Sequence, residues 1–326
     1  MKITQRNEVL EVLNMPMDDF WAQVAPAAKE VHRTVNGDKL TATSMMGYTN
    51  ICKNKCLYCG MRAPNSMVPR YRMEPEKVLE AVKKAQETGF KRLFLIAGED
   101  PGYGFDNLLR IVREAKEAGI QWVSLACGEY DKDSYKALRE AGADEYVIKF
   151  EMSDPETFNR LNPSTNFKQR MDAIHCVKEL GFALASGNIV DFPGHSIDQM
   201  ADDIMLMKQL DVSWAPIVPY MPAMGTPLAQ EGGPGRQELI LKEIALVRLM
   251  LPEAHITGGQ PGKNLSEGFA SEDGNLAALA CGGDLLFADL LPAAKAEAFH
   301  VVDNRVLLGL DRIQEMAKKA GMTFSF

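Results

Sequence analysis

Short β-prone runs alternate with helical segments from about residue 40 to the end of the chain. Runs rich in β-branched and aromatic residues predict strands, and a 3.6-residue hydrophobic period predicts amphipathic helices. This alternation is typical of successive βαβ units on a parallel sheet, and therefore of the α/β class. Eight candidate strands predict a complete (β/α)8 barrel of the TIM type. They cover residues 40–46, 92–97, 122–127, 145–150, 182–190, 214–219, 255–258 and 285–288.

Helical periodicity predicts helices over residues 75–88, 105–118, 198–209 and 237–250 between these strands. Residues 1–38 also read as helical, and we expect them to cover one mouth or side of the barrel. Neither a repeat nor a Pro/Ser-rich linker interrupts the chain. We therefore predict an N-terminal helical cap over residues 1–38 and a barrel over residues 39–326.

Charge and composition exclude several classes of partner. The formal net charge is −8 and the pI is near 5.3, which predicts no nucleic-acid partner and no attraction to an anionic membrane. An apolar run long enough to span a bilayer is missing, and the first residues lack the pattern of a secretory signal. We expect a cytoplasmic protein, in which six cysteines are metal ligands, catalytic groups or core residues rather than disulfides.

Three cysteines stand close together immediately after the first predicted strand. Cys52, Cys56 and Cys59 have the spacing C-x-x-x-C-x-x-C in a polar loop that ends at Gly60. Three thiolates can meet there on one small site. A 4Fe-4S cluster held by three cysteines leaves one iron open to a substrate or cofactor, as a catalytic metal site does.

Other readings of the triplet explain less of it. A zinc site usually has four ligands, and the fourth would have to come from a distant residue. A thioredoxin-like pair at Cys56 and Cys59 leaves Cys52 unexplained. A ferredoxin-type carrier needs a fourth cysteine nearby. Cys127, Cys176 and Cys281 stand alone in apolar surroundings, which is typical of core cysteines.

The triplet, with an aromatic residue before its third cysteine, resembles the signature of the radical-SAM superfamily. The resemblance implies that the open iron binds S-adenosylmethionine (SAM), and that Tyr58 packs beside its adenine. The segment Ala97-Gly98-Glu99 resembles the Gly-Gly-Glu motif of the family, in which the backbone and the carboxylate receive the SAM amino group. Here alanine replaces the first glycine.

A narrower resemblance extends over residues 40–255. Glu151 and Arg170 are similar to a SAM-contacting pair in the group that contains the FeFe-hydrogenase maturase HydE, methylornithine synthase (PylB) and biotin synthase. An arginine fork suits the carboxylate of the methionine moiety. The chain resembles HydE more than PylB, and either more than biotin synthase.

The resemblance implies an enzyme that cleaves SAM at a 4Fe-4S cluster to a 5'-deoxyadenosyl radical, which acts on a small, amino-acid-derived substrate. It also implies a flavodoxin- or ferredoxin-type electron donor. Asp100 and Glu129 follow predicted strands and are candidate catalytic residues, although both could instead satisfy local backbone amides at helix N-termini. The alternatives are an iron-sulfur sensor or carrier that does not cleave SAM, and a zinc-stapled barrel hydrolase.

Overall fold

The computed structural model describes residues 1–296, 298–303, 306 and 308–326. The strands within these residues are β1 (Lys39–Thr49), β2 (Arg92–Ala97), β3 (Trp122–Ala126), β4 (Glu145–Val147), β5 (Ala183–Ala185), β6 (Ile189–Val190), β7 (Trp214–Ala215), β8 (Val218–Pro219), β9 (His255–Ile256), β10 (Leu285–Asp289) and β11 (Thr323–Ser325). Eight of them form a parallel sheet in the order β10, β1, β2, β3, β4, β5, β7, β9. The short β11 adds to the start of β1.

The sheet closes into a barrel between β9 and β10. Thr257, which follows β9, forms a parallel bridge with Leu285, and the amide of Gly258 donates to the Leu285 carbonyl at 2.8 Å. The predicted TIM-type barrel is thus confirmed, since each of the eight predicted strand regions overlaps one barrel strand. The predictions over residues 182–190 and 214–219 each split in two, because β6 and β8 leave the barrel and pair with each other.

The helices within the described residues alternate with the strands after β1. They are α1 (Arg6–Asn14), α2 (Met17–Asp19), α3 (Ala25–Asn36), α4 (Pro75–Thr88), α5 (Phe105–Glu117), α6 (Lys132–Glu140), α7 (Pro155–Leu161), α8 (Phe167–Glu179), α9 (Ile197–Leu210), α10 (Gln237–Met250), α11 (Glu272–Ala280), α12 (Ala293–Ala296) and α13 (Leu310–Lys319). The four predicted helices are confirmed to within one residue at either end. None of the helices in the described ranges is both long and apolar enough to cross a membrane.

Local sequence signals explain where several helices begin. The side chains of Asp131, Asp154 and Asn166 each accept a hydrogen bond from the amide three residues further on. Ser196 and Gln199 form a capping box at the start of α9. These side chains satisfy amide groups that the first helical turn leaves unpaired, and so fix the register in which each helix enters the barrel wall.

The N-terminal helices cover the outer face of α10, and a π-helical turn, Phe20–Val24, lies between α2 and α3. Every residue of α10 from Leu239 to Met250 is buried, because α1 and α3 pack on the side that would otherwise face solvent. The ammonium of Lys242 donates to the carbonyls of Leu13 and Met15 at 2.9 and 2.6 Å. The helical cap is present, and its separation at residue 38 as a domain of its own stays a prediction.

The barrel lumen is open at the C-terminal ends of the strands. Lumen-facing side chains in the upper half of five strands keep part of their surface accessible, while their sequence neighbours are mostly buried. Period-2 alternation places these side chains on one face of the sheet. They are Met45, Ile96, Ala126, Val147 and Phe287.

The chain after β10 crosses this open end. Val301 accepts a hydrogen bond from the amide of Gly60 at 3.0 Å, and Ala298 accepts one from the Asn50 side chain. The Asp303 carboxylate accepts from the amide of Met224 at 3.0 Å. Residues 298–303 therefore cover the loop that carries the cysteine triplet.

Candidate active site

The residues that the sequence singled out converge at one end of the barrel. The cysteine loop follows β1, Gly98, Glu99 and Asp100 follow β2, Glu129 follows β3 and Glu151 follows β4. Arg170 lies in the first turn of α8. Parallel strands bring their carboxyl ends to the same rim, which is where (β/α)8 barrels carry their chemistry.

The cysteine loop is tied to the end of β2 through backbone contacts. The amide of Glu99 donates to Sγ of Cys52 at 3.4 Å, and the amide of Lys53 donates to the Glu99 carbonyl at 2.9 Å. A Cβ atom on Gly98 would lie 2.2 Å from the carbonyl oxygen of Ile51 and 2.9 Å from Cβ of Cys52. Glycine at position 98 is therefore required by the close approach of the two loops.

The three thiols are half-buried and lie close enough to influence one another. Burial, reinforced by the charge of Cys52, raises the pKa of Cys56 to about 12. Burial also raises the pKa of Cys52 and Cys59. Such thiols give up their protons only to a strong Lewis acid, and an amide hydrogen bond to sulfur is a usual feature of iron-sulfur sites. The donor set therefore fits an iron-sulfur cluster.

A single-ion site is not preformed in the described part of the chain. Among those residues, no three His, Cys, Asp or Glu side chains converge closely enough to hold one metal ion. The zinc alternative requires such a group, whereas a four-iron cluster spreads its ligands more widely.

Glu99 presents its carboxylate beside the cysteine loop. Its Oε1 lies 2.5 Å from the ammonium of Lys53, and its Oε2 accepts from the side-chain amide of Asn54 at 2.8 Å. The side chain is 11 % exposed, so the carboxylate is held in a partly desolvated place. A primary ammonium is already its partner here, which is the kind of group that the SAM amino group would supply.

Tyr58 packs into a separate apolar cluster at the same rim. Its hydroxyl donates to the side-chain oxygen of Asn162 at 2.7 Å. Met152, Phe158 and Leu161 are buried members of this cluster. The ring is thus fixed at both ends, by apolar packing and by a hydrogen bond, and offers a flat surface beside the cysteines.

Arg170 forms its ion pair with Glu129. Nε of Arg170 lies 2.6 Å from Oε1 of Glu129, and both side chains are about nine-tenths buried. Glu129 also accepts from the Thr165 hydroxyl at 3.0 Å and from Gln169 at 3.1 Å. Arg170 donates in addition to the carbonyl of Lys149. Glu129 therefore orients Arg170 in this structure, while its predicted catalytic role stays a prediction.

Glu151 combines a strained backbone with an unsatisfied carboxylate. Its φ is +61°, in the left-handed region that a non-glycine residue rarely adopts. Its Oε2 is buried without a hydrogen bond, although the Lys149 ammonium lies 3.3 Å away. Strain of this kind is concentrated at functional sites. An acceptor without a donor fits a ligand that brings one, such as SAM.

Asp100 is occupied by neighbours within the protein. Its two oxygens accept from Nε and the terminal nitrogen of Arg72, both at 2.7 Å, and Oδ2 also accepts from the Thr49 hydroxyl at 2.9 Å. Its Oδ1 accepts from the amide of Gly102 at 3.0 Å, which caps the 3₁₀ turn Pro101–Tyr103. These contacts support the structural alternative, and a catalytic role for Asp100 stays a prediction.

The other three cysteines are separate from the triplet loop. Cys127 and Cys281 are buried and Cys176 is half-buried. The thiol of Cys127 lies 3.4 Å from the Tyr146 hydroxyl, behind the barrel wall. Burial is the main cause that raises the pKa of both Cys127, to about 11, and Cys281. Their burial agrees with the reading as core residues.

Sequence reasoning missed several polar neighbours of the site. Asn54 and Arg72 hold the predicted carboxylates, and the Lys149 ammonium donates to the carbonyl of Asn188 at 2.9 Å. Lys149 could have been found, because it continues the alternation of Val147 on the lumen face of β4. Arg72 could not, since its partner lies 28 positions away.

Known proteins resemble this chain over most of its length. The model of the radical SAM superfamily matches residues 46–207. The [FeFe] hydrogenase maturase subunit HydE of Thermotoga maritima is 32 % identical over 92 % of this chain and 84 % of its own length. The 3-methylornithine synthase of Methanosarcina barkeri is 27 % identical over 91 % of this chain and 83 % of its own.

Solved structures agree on the fold. The crystal structure of methylornithine synthase (PylB) superposes with a TM-score of 0.87 at 23 % identity, covering 99 % of this chain and 94 % of that one. Radical SAM enzymes use a 4Fe-4S cluster and SAM, need an electron donor and act on small molecules. The chain belongs to the radical SAM superfamily, in the group that includes HydE, methylornithine synthase and biotin synthase, and is a SAM-cleaving enzyme with a 4Fe-4S cluster.

Proposed function

We propose that Cys52, Cys56 and Cys59 hold the cluster, and that the surrounding loops bind SAM. The observation that carries this proposal is the amide hydrogen bond from Glu99 to Cys52, which joins the cysteine loop to the Gly98-Glu99 turn. When bound, the cluster supplies the electron that cleaves SAM to methionine and a 5'-deoxyadenosyl radical.

The protein residues bind and orient SAM in this proposal. Glu99 receives the amino group, since its carboxylate already holds an ammonium in a partly desolvated place. Arg170 receives the carboxylate, because Glu129 holds its Nε and leaves other guanidinium nitrogens to donate. Glu151 supplies an unsatisfied acceptor, and Tyr58 supplies a flat apolar surface for adenine.

The proposed substrate is a small, amino-acid-derived molecule in the barrel lumen. Five partly accessible apolar side chains line the lumen directly beneath the rim, which suits a compact ligand. Lys149 lies above Val147 on this face, and its ammonium, which is 3.3 Å from Glu151, can also attract a carboxylate on the ligand. The names of HydE and 3-methylornithine synthase suggest two substrate types, cofactor precursors of a hydrogenase and amino acids.

The proposed setting is the cytoplasm, with flavodoxin or ferredoxin as electron donor and with neither nucleic acid nor membrane as a partner. The net charge of −8 supports the last two points, since polyanions and anionic bilayers repel such a protein. Iron-sulfur chemistry of this type also needs a reducing environment.

The decisive experiment follows the cluster and SAM together. The protein is reconstituted anaerobically with iron and sulfide and reduced with dithionite, and its electron paramagnetic resonance is recorded before and after SAM is added. We expect a cluster signal that shifts with SAM, and release of 5'-deoxyadenosine. Cys56→Ala should abolish both, whereas Cys176→Ala, a matched change outside the loop, should abolish neither.

Two outcomes would contradict the proposal. If a cluster forms but SAM neither perturbs it nor is cleaved, the protein is a carrier or sensor. If Cys56→Ala and Cys176→Ala behave alike, the triplet does not hold the cluster. To identify the substrate, 5'-deoxyadenosine release is compared in the presence of L-lysine, L-cysteine and their decarboxylated amines. If an amino acid stimulates release and its decarboxylated amine does not, the substrate requires a carboxylate.

A further inference from the structure

The segment that carries the cysteine triplet has an unusual charge for this protein. Residues 50–73 contain five basic residues and no acidic residue, in a chain whose formal net charge is −8. The basic residues are Lys53, Lys55, Arg62, Arg70 and Arg72. Lys53 and Arg72 are paired with Glu99 and Asp100. Lys55, Arg62 and Arg70 therefore carry the positive charge of this segment that no carboxylate of the described residues neutralises.

Two of these side chains lie on the outer side of the loop. Lys55 is exposed, and its ammonium has no acidic partner among the described residues. Arg62 is half-buried and donates to the carbonyls of Cys56 and Lys55 at 3.1 and 3.3 Å. By contrast, the guanidinium of Arg70 is used internally, since it donates to four backbone carbonyls.

Two large apolar side chains are exposed beside this cationic loop. Met67 is 57 % exposed and Met224 is 50 % exposed. The buried side chain of Asn65 joins their segments, because its oxygen accepts from the amide of Met67 at 3.1 Å and its nitrogen donates to the carbonyl of Met224 at 3.0 Å. Single exposed apolar residues are common, but here one buried asparagine is hydrogen-bonded to the backbones of two of them.

The same asparagine connects this surface to the cysteine triplet. Nδ2 of Asn65 also donates at 2.8 Å to the carbonyl of Gly60, which follows Cys59 directly. The segment around Met224 also packs closely against Asn65, since a Cβ atom on Gly225 would lie 2.3 Å from Oδ1 of Asn65. Asn65 thus links the backbones of both exposed methionines to the residue that follows one of the proposed cluster ligands.

We propose that Met67 and Met224, together with Lys55 and Arg62, form the docking surface for an acidic one-electron carrier protein. We call these four residues the methionine patch. The proposal rests on the proposed function, in which an external protein reduces the cluster. An acidic carrier is repelled by most of this protein and attracted to the patch, so charge steers it toward the cysteine loop.

Methionine suits the centre of such a surface. Its unbranched, polarizable side chain packs against partners of different shape, and exposed methionines are common where one protein binds several others. The surrounding charges set orientation and encounter rate, while the apolar centre supplies the desolvated contact. In the docked pair the carrier loses one electron and the cluster gains it, so neither a bond nor a proton has to move.

Stopped-flow reduction of the reconstituted enzyme tests the patch. The probes are the hydroquinone form of an acidic flavodoxin and a reduced acidic 2Fe-2S ferredoxin, with dithionite as the small-molecule comparison. We expect Lys55→Glu and Met67→Ser/Met224→Ser to lower the second-order rate constant with the carriers at least about tenfold at low ionic strength. A higher salt concentration should reduce the difference in this rate constant between Lys55→Glu and the wild type, because salt screens the charges.

The matched control is Lys83→Glu. It makes the same change of charge on an exposed lysine late in α4, toward the other end of the barrel. The inference is overturned if Lys83→Glu and Lys55→Glu slow the carriers equally, if the methionine variants react like wild type, or if neither carrier reduces the wild type. The proposed function is tested separately, by reduction of the wild-type cluster with dithionite and by SAM cleavage with dithionite as the reductant. If the wild type shows neither reaction, the proposed function is contradicted, and not the docking surface.

Discussion

Glu243 on α10 and Asp203 on α9 are two fully buried carboxyl groups that interact inside the barrel wall. Asp203 accepts from the Ser153 amide at 2.6 Å and from Asn188 at 3.1 Å, and its Oδ2 lies 3.2 Å from His195. Burial, and then the charge of Asp203, raise the pKa of Glu243 well above its ordinary value of 4.5. The raised pKa favours the neutral, protonated form of Glu243.

This pair predicts that Glu243→Gln stabilises the protein increasingly as the pH rises above 4.5. An acid whose folded-state pKa is raised loses stability as the pH climbs above its unfolded pKa, because only the unfolded chain releases the proton. Glutamine mimics the neutral acid, so the advantage of the variant should be near zero at pH 4.5. The advantage in unfolding free energy should grow by up to about 1.4 kcal/mol per pH unit above that value, until the pKa of Glu243 in the folded protein is reached.

Urea unfolding at pH 5 to 8 measures this advantage in unfolding free energy, and Glu253→Gln, at an exposed position, is the control. An advantage that does not change with pH would contradict the assignment.

The close approach at Gly98 predicts that Gly98→Ala displaces the cysteine loop. The added methyl group would lie 2.2 Å from the Ile51 carbonyl, so the backbone has to move. We expect a loss of about 1–3 kcal/mol in the free energy of unfolding and a lower iron and sulfide content per chain. Gly233→Ala is the matched control, because no atom lies within 4 Å of its Cβ position. Equal iron content in the two variants would show that the loop tolerates the change.

The Arg72–Asp100 pair predicts a pH-dependent loss in Asp100→Asn. Burial alone would raise the pKa of Asp100, but hydrogen bonds from Arg72 and Thr49 outweigh it and hold the pKa below 3.8. The pair therefore contributes stability above pH 3.8, and this contribution is lost as the pH falls through the folded-state pKa. Asp100→Asn should cost about 1–3 kcal/mol at pH 7 and less near pH 3.

A double-mutant cycle separates this structural role from a catalytic one. If Asp100 mainly orients the Arg72 loop, Asp100→Asn and Arg72→Gln should be strongly non-additive in unfolding experiments. Both variants should then still cleave SAM when folded. Loss of 5'-deoxyadenosine formation in Asp100→Asn alone, with stability retained, would instead support the predicted catalytic role.

The Glu129–Arg170 pair predicts that removing either partner is costly. Arg170→Gln leaves Glu129 charged and only 11 % exposed, and we expect a loss of about 3 kcal/mol in the free energy of unfolding. Arg170→Lys should rescue only part of it, because an ammonium cannot contact both Glu129 and the Lys149 carbonyl with the geometry of the guanidinium.

SAM affinity distinguishes the two halves of this pair. Arg170→Gln should weaken SAM binding in a calorimetric titration, and Glu129→Gln should do so less, since Arg170 remains. A Glu129→Gln variant that binds SAM normally, yet forms no product with substrate, would show that Glu129 takes part in the reaction rather than in positioning Arg170.

Local patterns were sufficient to predict the barrel. Strand periodicity and helix caps involve residues at most a few positions apart, so each βαβ unit can be recognised by itself. The predicted strand at 92–97 and helix at 75–88 match β2 and α4 in full. The boundaries that differ, as in β5 and β6, lie where the chain bends away from the barrel, and such a bend depends on a partner strand elsewhere in the sequence.

The sequence by itself determined the cysteine loop, the order of strands and helices, and the rim on which the candidate residues lie, because spacing and periodicity are local. The partners of those residues were decided only by the tertiary structure. Arg72 meets Asp100, Arg170 meets Glu129, and Asn65 meets Met224, which lies 159 positions further along the chain. Contacts of this kind depend on how loops from different strands meet at one rim, and barrel closure, not any local pattern, brings those loops together.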